Sequence, residues 1–266
     1  AKTNPSGSMV GSSLICNGDG DAPATLTING GAFEQQNFLA VKNGVMGILN
    51  VNGGKFTSKH SAIQNWYKAN IKGGIINGQL WTDAYIQGES VGETKISGTT
   101  KFTGEIVMDI TGNTKPTLEI SGGEMSITNW RITSAAANKG AKPVVTGGNF
   151  SQPVKREYLD SSLTAELKKA SGETPYSYYT SMDEALAAAK PGDTVTDLNA
   201  ATEQKVTLTL KYNDGATADT TYNVASGTTI TLPTPAHRSG YTFNGWYDGS
   251  KFYAAGASYK VSATAT

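Results

Sequence analysis

From its start to Lys155 the chain repeats a short phrase of alternating residues that closes on glycine. The copies read Ile28-Asn29-Gly30-Gly31, Val51-Asn52-Gly53-Gly54, Ile71-Lys72-Gly73-Gly74, Ile96-Ser97-Gly98-Thr99, Ile120-Ser121-Gly122-Gly123 and Val145-Thr146-Gly147-Gly148. Two places before the first Gly the residue is always Ile or Val, and the residue between them is always polar. Four places before it stand Leu26, Leu49, Ala69, Thr94, Leu118 and Pro143. Alternation with period two that ends in a turn predicts a strand in every copy. A second apolar position follows the Gly pair at Phe33, Phe56, Ile76, Met125 and Phe150, with Phe102 one place late.

The first glycines recur every 20–25 residues, the spacing of a solenoid. Each copy is then one coil of a parallel β-helix. Equivalent residues pile up about 4.8 Å apart, the aliphatic column fills the interior, and glycine turns the corner at positive φ. Six such coils span roughly 30 Å, with Ser13–Cys16 as a partial coil ahead of them. A leucine-rich repeat has a similar period, but its L-x-x-L-x-L spacing is absent. The repeat resembles the pectin-lyase-like right-handed β-helices and, more closely, the I-x-G-G-x-F repeats of large surface proteins of gut Firmicutes. That fold carries lyases, hydrolases, adhesins and inert stalks, so the resemblance implies architecture rather than activity.

The period changes over 156–200. Leu163–Ala170 reads as a short helix and Tyr176–Tyr179 as a strand. Ser181-Met182-Asp183-Glu184 is a capping box opening a helix that stops at Lys190-Pro191-Gly192, and Thr194–Thr196 is a further strand. We read 156–200 as a helical cap and connector at the end of the coils, because an uncovered stack leaves strand edges unpaired. Strand alternation resumes in 201–266, over Val206–Leu210, Thr221–Val224 and Thr228–Leu232, with a turn at Asn213-Asp214-Gly215. Thr231-Leu232-Pro233, Pro235 and Gly240-Tyr241-Thr242-Phe243-Asn244-Gly245-Trp246-Tyr247 follow. This run resembles the Listeria–Bacteroides repeat, the module of the listerial internalin B repeats. The resemblance implies an extracellular, β-grasp-like module with Tyr241, Phe243 and Trp246 in its core. The family's closing aromatic and Trp have no counterpart before Thr266. The expected fold class is therefore mainly β: a right-handed parallel β-helix of six to seven coils over 1–155, the connector over 156–200, and a small β-grasp-like module over 201–266.

Composition narrows the function. Lys+Arg and Asp+Glu are both 22, so no electrostatic footprint for nucleic acid exists. No apolar run is long enough to span a membrane. No signal peptide opens the chain, and we expect a mature piece of an exported protein. One cysteine, Cys16, and two histidines, His60 and His237, leave no zinc set, and no cofactor or metal is expected. Asn17–Asp21 begins like a calcium loop but has Ala22 at its sixth place and Ile28 at its twelfth; a polar turn is the simpler reading. No G-x-S-x-G or phosphate-binding glycine motif is present.

Two sets of candidate site residues remain. Asp83 and Asp109 fall at similar places in successive coils, with Glu105 nearby, and would serve a polysaccharide-acting β-helix as its acids. Isolated surface acids are the competing reading. Trp66, Tyr67 and Trp81 would form a carbohydrate-stacking or protein-binding strip if they face outward and core if they face inward. The expectation is a non-enzymatic stalk or adhesin on the surface of a Gram-positive, gut-type bacterium, with host or cell-wall glycan or protein as partner. The alternatives are a polysaccharide lyase or glycoside hydrolase, or a glycan-binding module.

Overall fold

A computed structural model describes residues 13–18, 22–85, 90–199 and 205–262. The chain divides into two compact units, Ala1–Asp160 and Ser161–Thr266. The strands of the first are β1 (Ile15–Asn17), β2 (Ala24–Ile28), β3 (Ala32–Gln35), β4 (Val41–Asn43), β5 (Gly47–Val51), β6 (Lys55–Asn65), β7 (Lys68–Ile71), β8 (Ile75–Ala84), β9 (Glu93–Ile96), β10 (Lys101–Ile110), β11 (Thr117–Ile132) and β12 (Pro143–Phe150). They pair in parallel, coil upon coil, into a β-solenoid with three faces.

The repeat explains the register. On the first face Ile28, Val51, Ile71, Ile96, Ile120 and Val145 are partners in unbroken succession. All six are buried, with Ile28 the most accessible at 6%. On the second face Phe33, Phe56, Ile76, Phe102, Met125 and Phe150 form an equal column. Phe102 joins it despite its extra residue, because the Gly98–Thr100 turn absorbs the difference. The two glycines of a pair do different work. The second holds positive φ, as at Gly54 (102°) and Gly148 (105°), where a side chain is strained. The first lies against the coil below: a Cβ on Gly53 would stand 2.6 Å from the Asn29 carbonyl oxygen.

A polar column runs inside the third face. Asn17, Asn43 and Asn65 are successive partners, all buried. The Asn17 amide donates to Asn43 Oδ1 at 2.8 Å, and the Asn43 amide to Asn65 Oδ1 at 2.8 Å. The Asn65 amide donates to Thr94 Oγ1 at 2.9 Å, which meets Thr82 Oγ1 at 2.7 Å. The same amides reach corner carbonyls, Asn43 to Gly47 at 2.6 Å and Asn65 to Glu93 at 2.7 Å. Each buried donor is thus spent on the next rung or the next corner, which removes the desolvation cost of burying it. Asn17 belongs to this ladder; Asp19–Asp21 of the calcium-like run lie outside the described residues.

In the second unit β13 (Ala165–Lys168), β14 (Tyr176–Tyr179), β15 (Thr194–Asp197), β16 (Lys205–Leu210) and β17 (Thr220–Ala225) make a mixed sheet in the order β14-β13-β15-β17-β16. The pairs β18 (Thr229–Thr231) with β21 (Ser258–Lys260) and β19 (Trp246–Tyr247) with β20 (Phe252–Tyr253) complete it. The helix expected at Leu163–Ala170 is strand β13. Leu163, Ala165 and Leu167 are buried at every second place, and that period prevails over helix propensity. Helix α2 (Met182–Ala188) starts at the expected N-cap: Ser181 Oγ accepts from Glu184 N, while the Glu184 carboxylate reaches one residue beyond the capping box and accepts from Thr180 N and Thr180 Oγ1. Ala165, Leu167, Leu186 and Val195 share one core with Leu208, Tyr222, Ile230 and Trp246, so residues on both sides of position 200 fold together.

One expectation about this core fails. Trp246 is buried and donates its indole N–H to the Pro233 carbonyl at 2.9 Å, but Tyr241 is 64% and Phe243 41% exposed. Only Trp246 lies beneath the sheet strands; Tyr241 packs under the Arg238 guanidinium, 4.1 Å from its ring centre.

Candidate functional site

Strands β8 and β10 run side by side along the third face. Leu80 pairs with Ile106, Trp81 with Val107, Thr82 with Met108 and Asp83 with Asp109. Leu80, Thr82, Ile106 and Met108 are fully buried inside the coil, so alternation sends Trp81 and Asp83 to the outer side. Asp83 and Asp109 are therefore neighbours on adjacent rungs, as their spacing from the Gly pair suggested.

Asp83 is buried, Asp109 half-buried, and both carboxylates are hydrogen-bonded. Asp83 is 2% exposed and accepts from Thr111 N at 3.3 Å and from Thr111 Oγ1 at 3.4 Å. Asp109 accepts from Ile110 N and Thr133 Oγ1, each at 2.8 Å. Thr133 in turn caps the short helix α1 (Ser134–Asn138). Burial first, and then the negative charge of Asp109, push the Asp83 carboxyl up to about 6.

Glu105 stands apart from this pair. It lies four residues before Asp109 on the same strand, roughly 13 Å away at ~3.3 Å per residue. It accepts from Gln79 Nε2 and Asn129 Nδ2 at 2.8 Å and from Arg131 Nε at 3.3 Å. Burial acts to raise its carboxyl, but these hydrogen bonds and the Arg131 charge prevail and hold it below the usual value. One coil down, Ser61 Oγ donates to Gln79 Oε1 at 2.7 Å, and His60 Nδ1 is 3.0 Å from the same hydroxyl. Ser61, Gln79, Glu105 and Asn129 thus form an outer polar ladder. A glycosidic acid pair brackets a sugar with carboxyls roughly 5–9.5 Å apart. Asp83 and Asp109 sit abreast on adjacent rungs, about 4.8 Å apart along the stack, and Glu105 is hydrogen-bonded to side chains of the rungs on either side.

The aromatic candidates do not form one strip. Trp81 is half-buried within the third face, with the Arg131 guanidinium 6.0 Å from its ring. Trp66 and Tyr67 lie at the corner between β6 and β7. Trp66 is 6% exposed, stacked flat on Tyr85 at 4.0 Å, with Lys42 Nζ 4.1 Å from its ring. Tyr67 is half-buried beside Lys68. Of the position eight residues after the first Gly, Ile106 faces inward while Trp81 faces outward, because coil length varies between the second and third faces.

The inner asparagine ladder is the feature that spacing from glycine did not reveal. Its signal is present as Ile15-Cys16-Asn17, Val41-Lys42-Asn43 and Ile63-Gln64-Asn65, an aliphatic two places before each Asn. Among the described residues no three His, Cys, Asp or Glu side chains are placed to hold a metal. No helix among them is long and apolar enough to cross a membrane.

Comparison with known families decides the nature of the C-terminal strands. Residues 206–266 match the Listeria-Bacteroides repeat domain. The repeat domain therefore contributes β16 to β21, while β13, β14, α2 and β15 precede it and extend its sheet through the parallel β15–β17 pair. None of the curated proteins and none of the solved structures compared with the chain matches it. The likeness of the coils to pectin-lyase-like helices rests on the repeat alone.

Proposed function

We propose that the chain is a non-enzymatic surface protein of a Gram-positive, gut-type bacterium, a stalk or adhesin that presents binding surfaces to host or cell-wall glycan or protein. The observation that carries this reading is the joining of a β-solenoid, laced by side-chain ladders from rung to rung, to a Listeria-Bacteroides repeat domain. Export is implied by the resemblance of that domain to the internalin repeats. A solenoid supplies length and a regular surface at little cost in sequence, since each coil supports the next. Immunogold labelling of the bacterium that encodes the chain tests it. Labelling at the cell surface is expected, and labelling confined to the cytosol overturns it.

One observation favours a second reading, a carbohydrate-active enzyme. The raised carboxyl of Asp83, beside Asp109, has the character of a proton donor near neutral pH. Incubation with pectins, host glycans and mucins separates the two. The first reading expects no new reducing ends or unsaturated products. Turnover abolished by Asp83→Asn establishes the second.

A further inference from the structure

Asparagine followed by glycine is a reactive pair. Glycine has no side chain to shield its nitrogen, and that nitrogen can close on the asparagine amide carbon to form a five-membered imide. The first unit carries such pairs at Asn17-Gly18, Asn29-Gly30, Asn43-Gly44, Asn52-Gly53 and Asn77-Gly78. The fold treats them unequally.

The inner pairs are locked. Asn17 and Asn43 are buried, and their amides are spent on Asn43 Oδ1 and Asn65 Oδ1. Gly44 N donates to the Asn17 carbonyl at 2.7 Å, which fixes the peptide that would have to turn toward Asn43. Asn77 lies within β8, whose backbone pairs with β6 on one side and β10 on the other.

Asn29 and Asn52 stand exposed at the corner between the first and second faces. Among the described residues neither the Gly30 nor the Gly53 nitrogen meets an acceptor. This freedom belongs to the corner and not to the end of the stack, because the coil of Asn52 is held on both sides. Asn52 N donates to the Ile28 carbonyl and Lys72 N to that of Val51, each at 2.8 Å.

The two exposed asparagines are not equivalent. Asn52 Nδ2 donates to Asn29 Oδ1 at 2.8 Å. Attack on the Asn29 amide carbon puts negative charge on this oxygen, and an N–H already aimed at it stabilises that charge. Among the described residues Asn52 Oδ1 has no such donor.

We propose that Asn29 is a site of self-modification, deamidated through a cyclic imide with Gly30, the Asn52 amide serving as oxyanion donor. The reaction needs only water. The Gly30 nitrogen gives its proton to solvent and bonds to Asn29 Cγ, while the carbonyl electron pair moves onto Oδ1. As that pair returns, the Cγ–Nδ2 bond breaks, and Nδ2 takes a proton from water and leaves as ammonia. Water then adds to the imide. Opening at the side-chain carbonyl gives aspartate; opening at the main-chain carbonyl gives isoaspartate, which routes the chain through the side-chain carbon. The aspartate keeps the rung, since its carboxylate accepts the Asn52 amide as a charge-assisted bond. Either product adds one negative charge to a chain whose formal charges balance. The proposal concerns this corner alone and does not rest on the surface-display reading.

The test incubates the whole folded chain in warm, mildly alkaline buffer and follows it by peptide mass mapping. Asn29 is expected to gain one mass unit several-fold faster than Asn52, while Asn17 and Asn43 stay unchanged. In Asn52→Ala, a change on an exposed rung that the fold tolerates, the gain at Asn29 should slow several-fold. Exposure alone predicts the reverse, because removing the Asn52 side chain uncovers Asn29 further. In denaturant the ranking of the pairs should collapse. Three results overturn the proposal: Asn29 no faster than Asn52 or Asn43, an Asn29 rate unchanged or raised in Asn52→Ala, or a ranking that persists in the unfolded chain and so belongs to local sequence.

Discussion

Phenylalanine meets opposite fates in the two units. Phe56, Phe102 and Phe150 of the solenoid are at most 1% exposed, whereas Phe243 and Phe252 of the C-terminal unit are 41% and 66% exposed. Hydrophobicity is the same; the difference lies in who the neighbours are. In a solenoid the neighbours of a residue are its own equivalents one coil above and below, so an apolar column buries itself. In the C-terminal unit each neighbour comes from an unrelated stretch of chain, and a ring is buried only where the folded backbone happens to bring a cover. Repetition thus turns a local pattern into a tertiary one.

The sharpest break of this contrast is Phe102→Ala. It opens a cavity inside the second face, and we expect a loss of about 4 kcal/mol in denaturant unfolding. Asn43→Ala should follow at about 3 kcal/mol, because it breaks the buried ladder between Asn17 and Asn65 and takes the amide donor from the Gly47 and Lys68 carbonyls. Asn52→Ala, on an exposed rung to Asn29, should stay within about 0.5 kcal/mol. Hydrogen exchange resolved by peptide would show whether the Asn43 loss spreads along the coils or remains at one rung.

The acid pair gives the first unit a pH signature. Asp83 titrates near 6 when folded and near the ordinary carboxylate value, about 4, when unfolded. Between these values the folded state holds more protons, so stability must rise as pH falls from 7 to 4, by on the order of 2 kcal/mol. Unfolding midpoints measured across that range should show the Asp83 contribution as the difference between the wild type and Asp83→Asn, which lacks that rise. A difference of the opposite sign would remove the burial argument. Gly54→Ala, forced to a φ of 102° against the coil below, should cost about 1–2 kcal/mol. Phe252→Ala should be the mildest change, within about 0.5 kcal/mol in the same assay. A large loss there would mean the C-terminal aromatics are core after all.

Legibility followed the repeat. The Ile/Val column could be named residue by residue from glycine spacing, and the capping box placed α2 from Ser181 and Glu184. The Asp83–Asp109 juxtaposition was also readable, since the two residues sit ten and eleven places after their glycines, Gly73 and Gly98. The burial of Asp83 was not, because it depends on Thr111 and the covering of the outer face, neither of which is periodic. Trp66 and Trp81 look alike in sequence, yet one is sealed by Tyr85 and the other half-open, since loops between coils differ in length.

By itself the sequence determined the coil, its register and its interior, because stacking makes every residue answer to its own repeat. It also carried the identity of the C-terminal repeat domain in a short run of glycine and aromatic residues. The tertiary structure alone decided that 161–199 joins that domain in one core, that Glu105 is bound by Gln79, Asn129 and Arg131, and that four C-terminal aromatics stand exposed. Those outcomes depend on contacts between segments far apart and unlike in sequence, for which no local period exists.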